Sequence, residues 1–246
     1  MPSTRLDNLL VQRGLVETRS KANDFIKRNK VKVNGVIINK PAAKTPEDAN
    51  IELTGNEGRY VSRAAHKLKS ALDDFPIDLD GSIAVDLGAS TGGFCQVLLD
   101  HKAAKVYAVD VGHDQLHKSL RENPRITCLE GTDARKLTKE MIPEPVDIIT
   151  SDLSFISLTK ALNPALTFAN KGAYLITLVK PQFEVGKEGV GKGGIVRDDA
   201  LRIASIDNVR DWVNAQPGWQ VIDVTPSPIT GQGGNQEFLL KAQFDD

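Results

Sequence analysis

From Tyr60 onward the chain alternates short apolar runs with stretches of helical length: "IAVDLGAS", "KVYAVDVG", "ITCLEGTD", "VDIITSDLSF" and "AYLITLVKP". Parallel strands cannot be joined by a tight turn and need a long crossover, usually a helix. The alternation therefore predicts a mostly parallel sheet with helices on both faces. Ahead of it, "YVSRAAHKLKSALDDF" spaces Ala64, Ala65, Leu68, Ala71 and Leu72 as a helix would. At the other end, "WQVIDVTPSPI" and "NQEFLLKAQF" have no helical stretch between them. An antiparallel hairpin at the sheet edge is expected there.

With 246 residues, the chain has room for that sheet and one small extra module. Charge separates the two. Residues 1–44 hold ten Lys or Arg against Asp7, Glu17 and Asp24, so a chain of net charge −1 carries +7 at its head and −8 elsewhere. A basic head on an acidic body is the footprint of phosphate contact, though a solvated helix face would also produce it. Two cysteines, Cys95 and Cys128, cannot make a disulfide framework. The opening "MPSTRLDNLL" has no signal-peptide pattern, and no apolar run reaches the roughly 18 residues that span a bilayer. A cytoplasmic protein that does not enter membranes is expected.

Within the basic head, Leu6, Leu9 and Leu10 recur at helical spacing and Gly14 stops the pattern. Thr18 or Ser20 can cap a second helix bearing Ala22, Phe25 and Ile26, with Asn29 placed for a left-handed end. "VKVNGVIIN" then reads as a hairpin turning at Asn34-Gly35. Two small helices and a tight hairpin, with Arg19, Lys21, Lys27 and Lys30 nearby, resemble the small RNA-binding domain first described in ribosomal protein S-four. The resemblance implies RNA contacts by Arg5, Arg13, Arg19, Lys21, Lys27 and Lys30. The turn-rich "TPEDANIELTGNEGRY" is read as closing the module and serving as linker. The expected divisions are an RNA-binding domain over 1–58, a linker over 59–64 and the sheet domain over 65–246.

In a doubly wound sheet, ligands bind outside the carboxyl ends of the strands. The strands are expected to end there in Asp86, Asp110, Asp133, Asp152 and Lys180. Turn preference explains any one of these aspartates, but less easily five polar ends in succession. In "VDLGASTGGF", Gly88, Gly92 and Gly93 allow sharp turning and close approach to a ligand. The spacing is not the dinucleotide G-x-G-x-x-G, and the preceding Asp86 would repel a pyrophosphate. An acid-x-Gly opening of this kind resembles the adenosylmethionine loop of Rossmann-like methyltransferases, with a nucleotide as the competing reading. Asp110 is placed to hold ribose hydroxyls in either case.

Lys67 in "SRAAHKL", Asp152 in "SDLSFISL", Lys180 in "LVKPQFE" and Glu237 in "GNQEFLL" resemble the Lys-Asp-Lys-Glu set of ribose methyltransferases of the FtsJ type. Joined to the basic head, and with "GASTGGF" and "VKPQFEVGK", the whole is similar to the TlyA family of rRNA ribose methyltransferases. The resemblance implies an α/β fold: a Rossmann-like methyltransferase with a mostly parallel seven-stranded sheet and an antiparallel edge, preceded by a small α+β RNA-binding domain. It implies S-adenosyl-L-methionine as cofactor, held by Asp86, Gly88, Ala89, Ser90, Gly92, Gly93, Phe94, Asp110, Asp133 and Asp152. The catalytic set would be Lys67, Asp152, Lys180 and Glu237, and the substrate a cytidine ribose 2'-hydroxyl in rRNA or ribosomal subunits. Relatives often carry glycine where Ala64 or Ala65 stands and tryptophan at the place of Tyr60, which leaves the coupling role of the linker open.

That chemistry needs a base, and an ordinary lysine with a pKa of about 10.4 is charged. A neighbouring ammonium and partial desolvation would lower it. Lys180 is the expected base, with Lys67 the neighbouring cation and Asp152 and Glu237 as orienting carboxylates. No metal is expected: His113 and His117 are spaced i, i+4 but lack a third ligand. "GVGKGG" lacks the order of a phosphate loop and reads as part of a mobile loop whose Lys187, Lys192 and Arg197 serve substrate backbone. Ser90 and Ser154 have no nearby His to make a hydrolase. Two further function classes remain: a membrane-damaging hemolysin-like protein, for which the sequence has no spanning segment or strongly amphipathic helix, and a non-catalytic rRNA-binding assembly factor. Oligomeric state is not legible.

Overall fold

The protein's computed structural model describes residues 3–16, 18–54, 60–231 and 233–245, with the Lys187 side chain outside the described set. The chain divides into two compact units, residues 1–60 and 61–246. Residue 59 of the expected 59–64 linker, and 55–58 before it, lie outside the described residues.

The first unit begins with β1 (Ser3–Arg5), α1 (Leu6–Gln12) and α2 (Arg19–Lys27). Gly14, at φ +66°, turns the chain after α1, and Thr18 caps α2 by accepting from the Lys21 amide at 3.2 Å. Asn29, at φ +60°, turns it out again. The hairpin follows as β2 (Val31–Val33) and β3 (Val36–Ile37). Asn34 and Gly35 both have positive φ, +50° and +81°, as a twist-matched two-residue turn requires. One expectation is corrected here. The passage read as turn and linker contains β4 (Lys44–Pro46), which pairs with β1, and β5 (Ile51–Leu53), which pairs with β2. These strands are three residues long, so their pattern is only one alternation: Ile51 and Leu53 pack on the core and Glu52 is exposed. That core is Leu6, Leu10, Val16, Ala22, Phe25, Ile26 and Val31.

Beside it lies a buried carboxylate, Asp7. Arg5 donates to it from Nε at 3.0 Å and Nη2 at 2.8 Å, and Arg19 from Nε at 3.1 Å. Chiefly through Arg5, its pKa is held down at about 2.

The second unit opens with α3 (Ala65–Asp74) and continues through β6 (Ile83–Leu87), α4 (Gly93–Asp100), β7 (Lys105–Asp110), α5 (Lys118–Arg121) and β8 (Ile126–Glu130). Then come β9 (Val146–Ser151), α6 (Leu158–Ala161), α7 (Asn163–Leu166), β10 (Ala169–Val179), α8 (Pro181–Glu184), α9 (Asp199–Asn214), β11 (Trp219–Pro226) and β12 (Phe238–Phe244). The seven strands are ordered β11-β12-β10-β9-β6-β7-β8. Pairings from β10 to β8 are parallel, and β12 runs antiparallel between β10 and β11. This is the expected α/β class with its antiparallel edge.

Strand alternation assigns the two faces. Val85, Leu87, Val109, Ile149 and Val179 pack with Leu158 of α6, Leu166 of α7 and Val209 and Val213 of α9. Asp86 and Thr150 point the other way, where Cys95 of α4 meets Asp86. From β6 the chain winds outward through β7 and β8, then returns to β9 on the opposite side of β6. The strand order thus reverses between β6 and β9, where such sheets leave a crevice.

Asp7→Asn is expected to destabilise the first unit at pH 7 by roughly 1–2 kcal/mol, since the half-exposed guanidiniums screen part of the pair energy. A depressed carboxyl stabilises the fold above its unfolded pKa of about 3.9 and loses that contribution as pH falls towards the folded value. Urea unfolding followed at the α1 amides should show a gap between variant and wild type that narrows from pH 7 to pH 3.

Candidate active site

The crevice between β6 and β9 is open because the turns there carry little bulk. Gly88 leaves β6 at φ +79°, and a Cβ on it would stand 3.0 Å from the Asp152 carbonyl oxygen. The two strand ends are cross-bonded: Asp152 N donates to Leu87 O at 3.0 Å and Gly88 N to Val109 O at 2.8 Å.

Four side chains far apart in sequence meet here. Lys67, on the first turns of α3, donates to Glu237 Oε2 at 2.6 Å and to Asp152 Oδ2 at 3.3 Å. Lys180, which follows β10, places Nζ 2.6 Å from Asp152 Oδ1, 2.9 Å from Ser154 Oγ and 3.4 Å from Asp152 O. Asp152 is thus shared by both ammoniums. Lys67, Lys180 and Glu237 are buried, and Asp152 is nearly so. Burial alone would raise the Asp152 carboxyl, but Lys180 and then Lys67 outweigh it and hold it below the usual carboxylate range. The group balances two positive and two negative charges, the condition under which so many ionisable groups can be buried together.

Two cavities open on this group and share Gly88, Ser90, Asp152, Ser154 and Phe155. One, of about 640 Å³, reaches Lys67, Lys180, Glu237 and Asp86. The other, of about 530 Å³, runs past Val109, Asp110, Val111, Asp133 and Ile156. Asp110 takes amide bonds from Ser90 at 2.8 Å and Gly112 at 2.7 Å, tying the glycine turn to β7. Ala89, Gly93 and Phe94 line the first cavity, while Gly92 faces Leu116 and Leu120 instead.

Two expected strand ends are corrected. Asp86 lies within β6, one residue before its end, and is wholly buried. It accepts from Thr150 Oγ1 at 2.9 Å and Cys95 Sγ at 3.1 Å, and burial pushes its pKa up to about 7. Asp133 lies three residues beyond β8, where its carboxylate caps a turn through the Arg135 amide at 2.9 Å and pairs with the Arg135 guanidinium at 2.6 Å. That pairing holds it at about 2. The acid that ends β8 is Glu130, which accepts the amides of Asp114, Gln115 and Leu116 at 2.8–2.9 Å and so shapes the loop after β7.

In the first unit, Arg5 and Arg19 are held by Asp7, and Arg13 spans to the carbonyls of Ala49 and Glu47. Lys27 and, in the second unit, Lys192 are exposed, and Lys21 and Lys30 are half-buried. His117 caps α5 and shares a 2.8 Å hydrogen bond with Ser119 Oγ.

Asn235 was not singled out by sequence. Its buried amide accepts from Val196 N at 2.9 Å and donates to Gly194 O at 2.8 Å, while its carbonyl accepts from Gly231 N at 2.9 Å. It thereby pins Gly194 and Gly231 beside the start of β12, and Gly193, Gly194 and Gly233 wall the larger cavity. Its nearness to Glu237 was the available signal. Phe155 was also passed over: it is 91 % exposed at φ +64°, against Phe183 with ring centroids 5.2 Å apart.

A sheet wound this way around a glycine-turned crevice defines the second unit as a Rossmann-like methyltransferase domain. A family model for the FtsJ-like methyltransferases matches residues 60–244, and one for the S4 domain matches residues 4–47. Among curated relatives, a Mycobacterium tuberculosis protein named 16S/23S rRNA (cytidine-2'-O)-methyltransferase TlyA is 45 % identical over 96 % of this chain and 88 % of its own length. Hemolysin A of Brachyspira hyodysenteriae is 43 % identical over 96 % of this chain and 98 % of its own. A solved Streptococcus thermophilus structure, described there as a hemolysin, is similar over 100 % of this chain and 90 % of its own, with a TM-score of 0.74 and 36 % identity. The chain belongs to the FtsJ-like methyltransferases, in the TlyA branch that carries an S4 domain. The cofactor of such a domain is S-adenosyl-L-methionine, and the crevice fits it: Gly88 lines both cavities with main chain alone, where a Cβ would press on the Asp152 carbonyl, and Asp110 retains lone pairs for hydroxyl donors.

Asp86→Asn tests the buried carboxyl. With its folded pKa above the unfolded one, Asp86 costs stability as pH rises from about 4 through about 7. The Asn variant should match wild type near pH 3 and exceed it at pH 8 by roughly 2–4 kcal/mol, read from urea midpoints at each pH.

Proposed function

We propose that the protein methylates the 2'-hydroxyl of a cytidine ribose in ribosomal RNA, with Lys180 as general base. One observation carries this reading: Lys67, Asp152, Lys180 and Glu237 converge in a buried, charge-balanced group beside the cavity that suits the cofactor. S-adenosyl-L-methionine supplies a methyl group already activated on a sulfonium. The chain's own task is to bind, align and take one proton.

Gly88 to Phe94, Asp110 and Asp133 would hold the cofactor, with Asp86 ordering the turn from below and Asp152 facing both cofactor and base. Lys180 lines the larger cavity, and Asp152 and Glu237 fix Lys67 and Lys180 in place. Alignment of hydroxyl oxygen, methyl carbon and sulfur is worth several orders of magnitude by itself. The exposed ring of Phe155 offers a stacking face to a base turned out of its helix. Arg5, Arg13, Arg19, Lys21, Lys27 and Lys30 of the S4-matching unit, with Lys187 and Lys192, would supply phosphate contacts.

The relatives' names support ribosomal RNA as substrate, and the tests are direct. Incubation of unmethylated ribosomal subunits with labelled cofactor should give a ribose methyl that blocks alkaline cleavage at one cytidine. Lys180→Ala should lower transfer by at least a hundredfold while leaving cofactor affinity within about twofold of wild type; normal turnover in that variant removes Lys180 as base. Affinity for subunits should fall steeply with salt. Binding without any transfer would instead identify an assembly factor. Among the described residues no helix is long and apolar enough to cross a membrane, and dye release from liposomes would be needed to support a hemolytic role.

A further inference from the structure

Lys180 Nζ donates to Ser154 Oγ at 2.9 Å and to Asp152 O at 3.4 Å, and stands 2.6 Å from Asp152 Oδ1 as an ion pair. To act as a base, Lys180 must first give up one proton, and the lone pair left behind needs a donor at the end of its line. A carboxylate oxygen or a carbonyl oxygen at the end of that line can only repel it. A hydroxyl can rotate and donate to it. Ser154 is the one partner of the three able to face both forms of the amine. It is exposed and lines both cavities, so a substrate hydroxyl can reach it from the open side.

Building on Lys180 as base, we propose that the Ser154 hydroxyl relays the proton from the ribose 2'-hydroxyl to Lys180. In the transfer step, the ribose O–H breaks and its proton passes to Ser154 Oγ, while the proton already on Ser154 passes to the neutral Lys180 amine. The ribose oxygen pair forms the new bond to the methyl carbon, and the carbon–sulfur pair stays on sulfur. Sulfonium becomes thioether and amine becomes ammonium, so charge and atoms balance. The ammonium's contacts are then restored, with Ser154 again an acceptor.

The test is single-turnover methyl transfer to unmethylated ribosomal subunits by wild type, Ser154→Ala, Ser154→Thr and Lys180→Ala. Ser154→Ala should slow transfer about tenfold to a hundredfold, leave cofactor affinity and the melting temperature unchanged because the hydroxyl is exposed, and be rescued by Ser154→Thr. In mixtures of light and heavy water, the wild-type rate should follow a bowed curve, two protons being in flight, and the Ser154→Ala rate a straight line. A straight line for wild type, or an unslowed Ser154→Ala, overturns the relay, the first leaving Ser154 only a holder of Lys180. Full activity in Lys180→Ala, or none in wild type, brings down the reading on which the relay stands as well.

Discussion

One carboxylate shared between two ammoniums organises the second unit. Asp152 stands at the end of β9, where the sheet changes winding direction, and its two oxygens reach Lys67 on α3 and Lys180 after β10. Glu237, at the start of β12, closes the group through Lys67. Each member alone would be an uncompensated charge in a poorly hydrated place, and together they are neutral. The arrangement therefore requires α3, β9, β10 and the antiparallel β12 to be assembled before any of these charges is accommodated. The proposed chemistry and the folding lean on the same four residues.

Much of this was legible in the chain because the signals were either long or chemically narrow. The alternation of strands and helices, the Asn34-Gly35 turn and the left-handed Asn29 each follow from a rule with few exceptions, and each is present. The convergence of Lys67, Asp152, Lys180 and Glu237 could not be read from spacing. It came through likeness to a known set, and the geometry supplies the physical reason that such a set holds together.

What was not legible has physical causes too. Three-residue strands such as β4 and β5 are held by pairing with distant partners, so their local sequence reads as turn. Asp86 and Asp133 were assigned by position, but their surroundings decide what they do: a thiol and a threonine for the first, a neighbouring guanidinium for the second. Glu130 and Asn235 act on backbone amides and carbonyls far along the chain, contacts that leave no periodicity. Ser154 was set aside for want of a histidine, whereas its partner is a lysine.

The wall that Asn235 pins in place has a consequence for substitution. Gly193, Gly194 and Gly233 present only main chain to the cavity. Such a surface offers fixed amide donors and carbonyl acceptors in place of mobile side chains. All three glycines sit in the left-handed region, so a larger residue at any of them would strain the wall as well as narrow it.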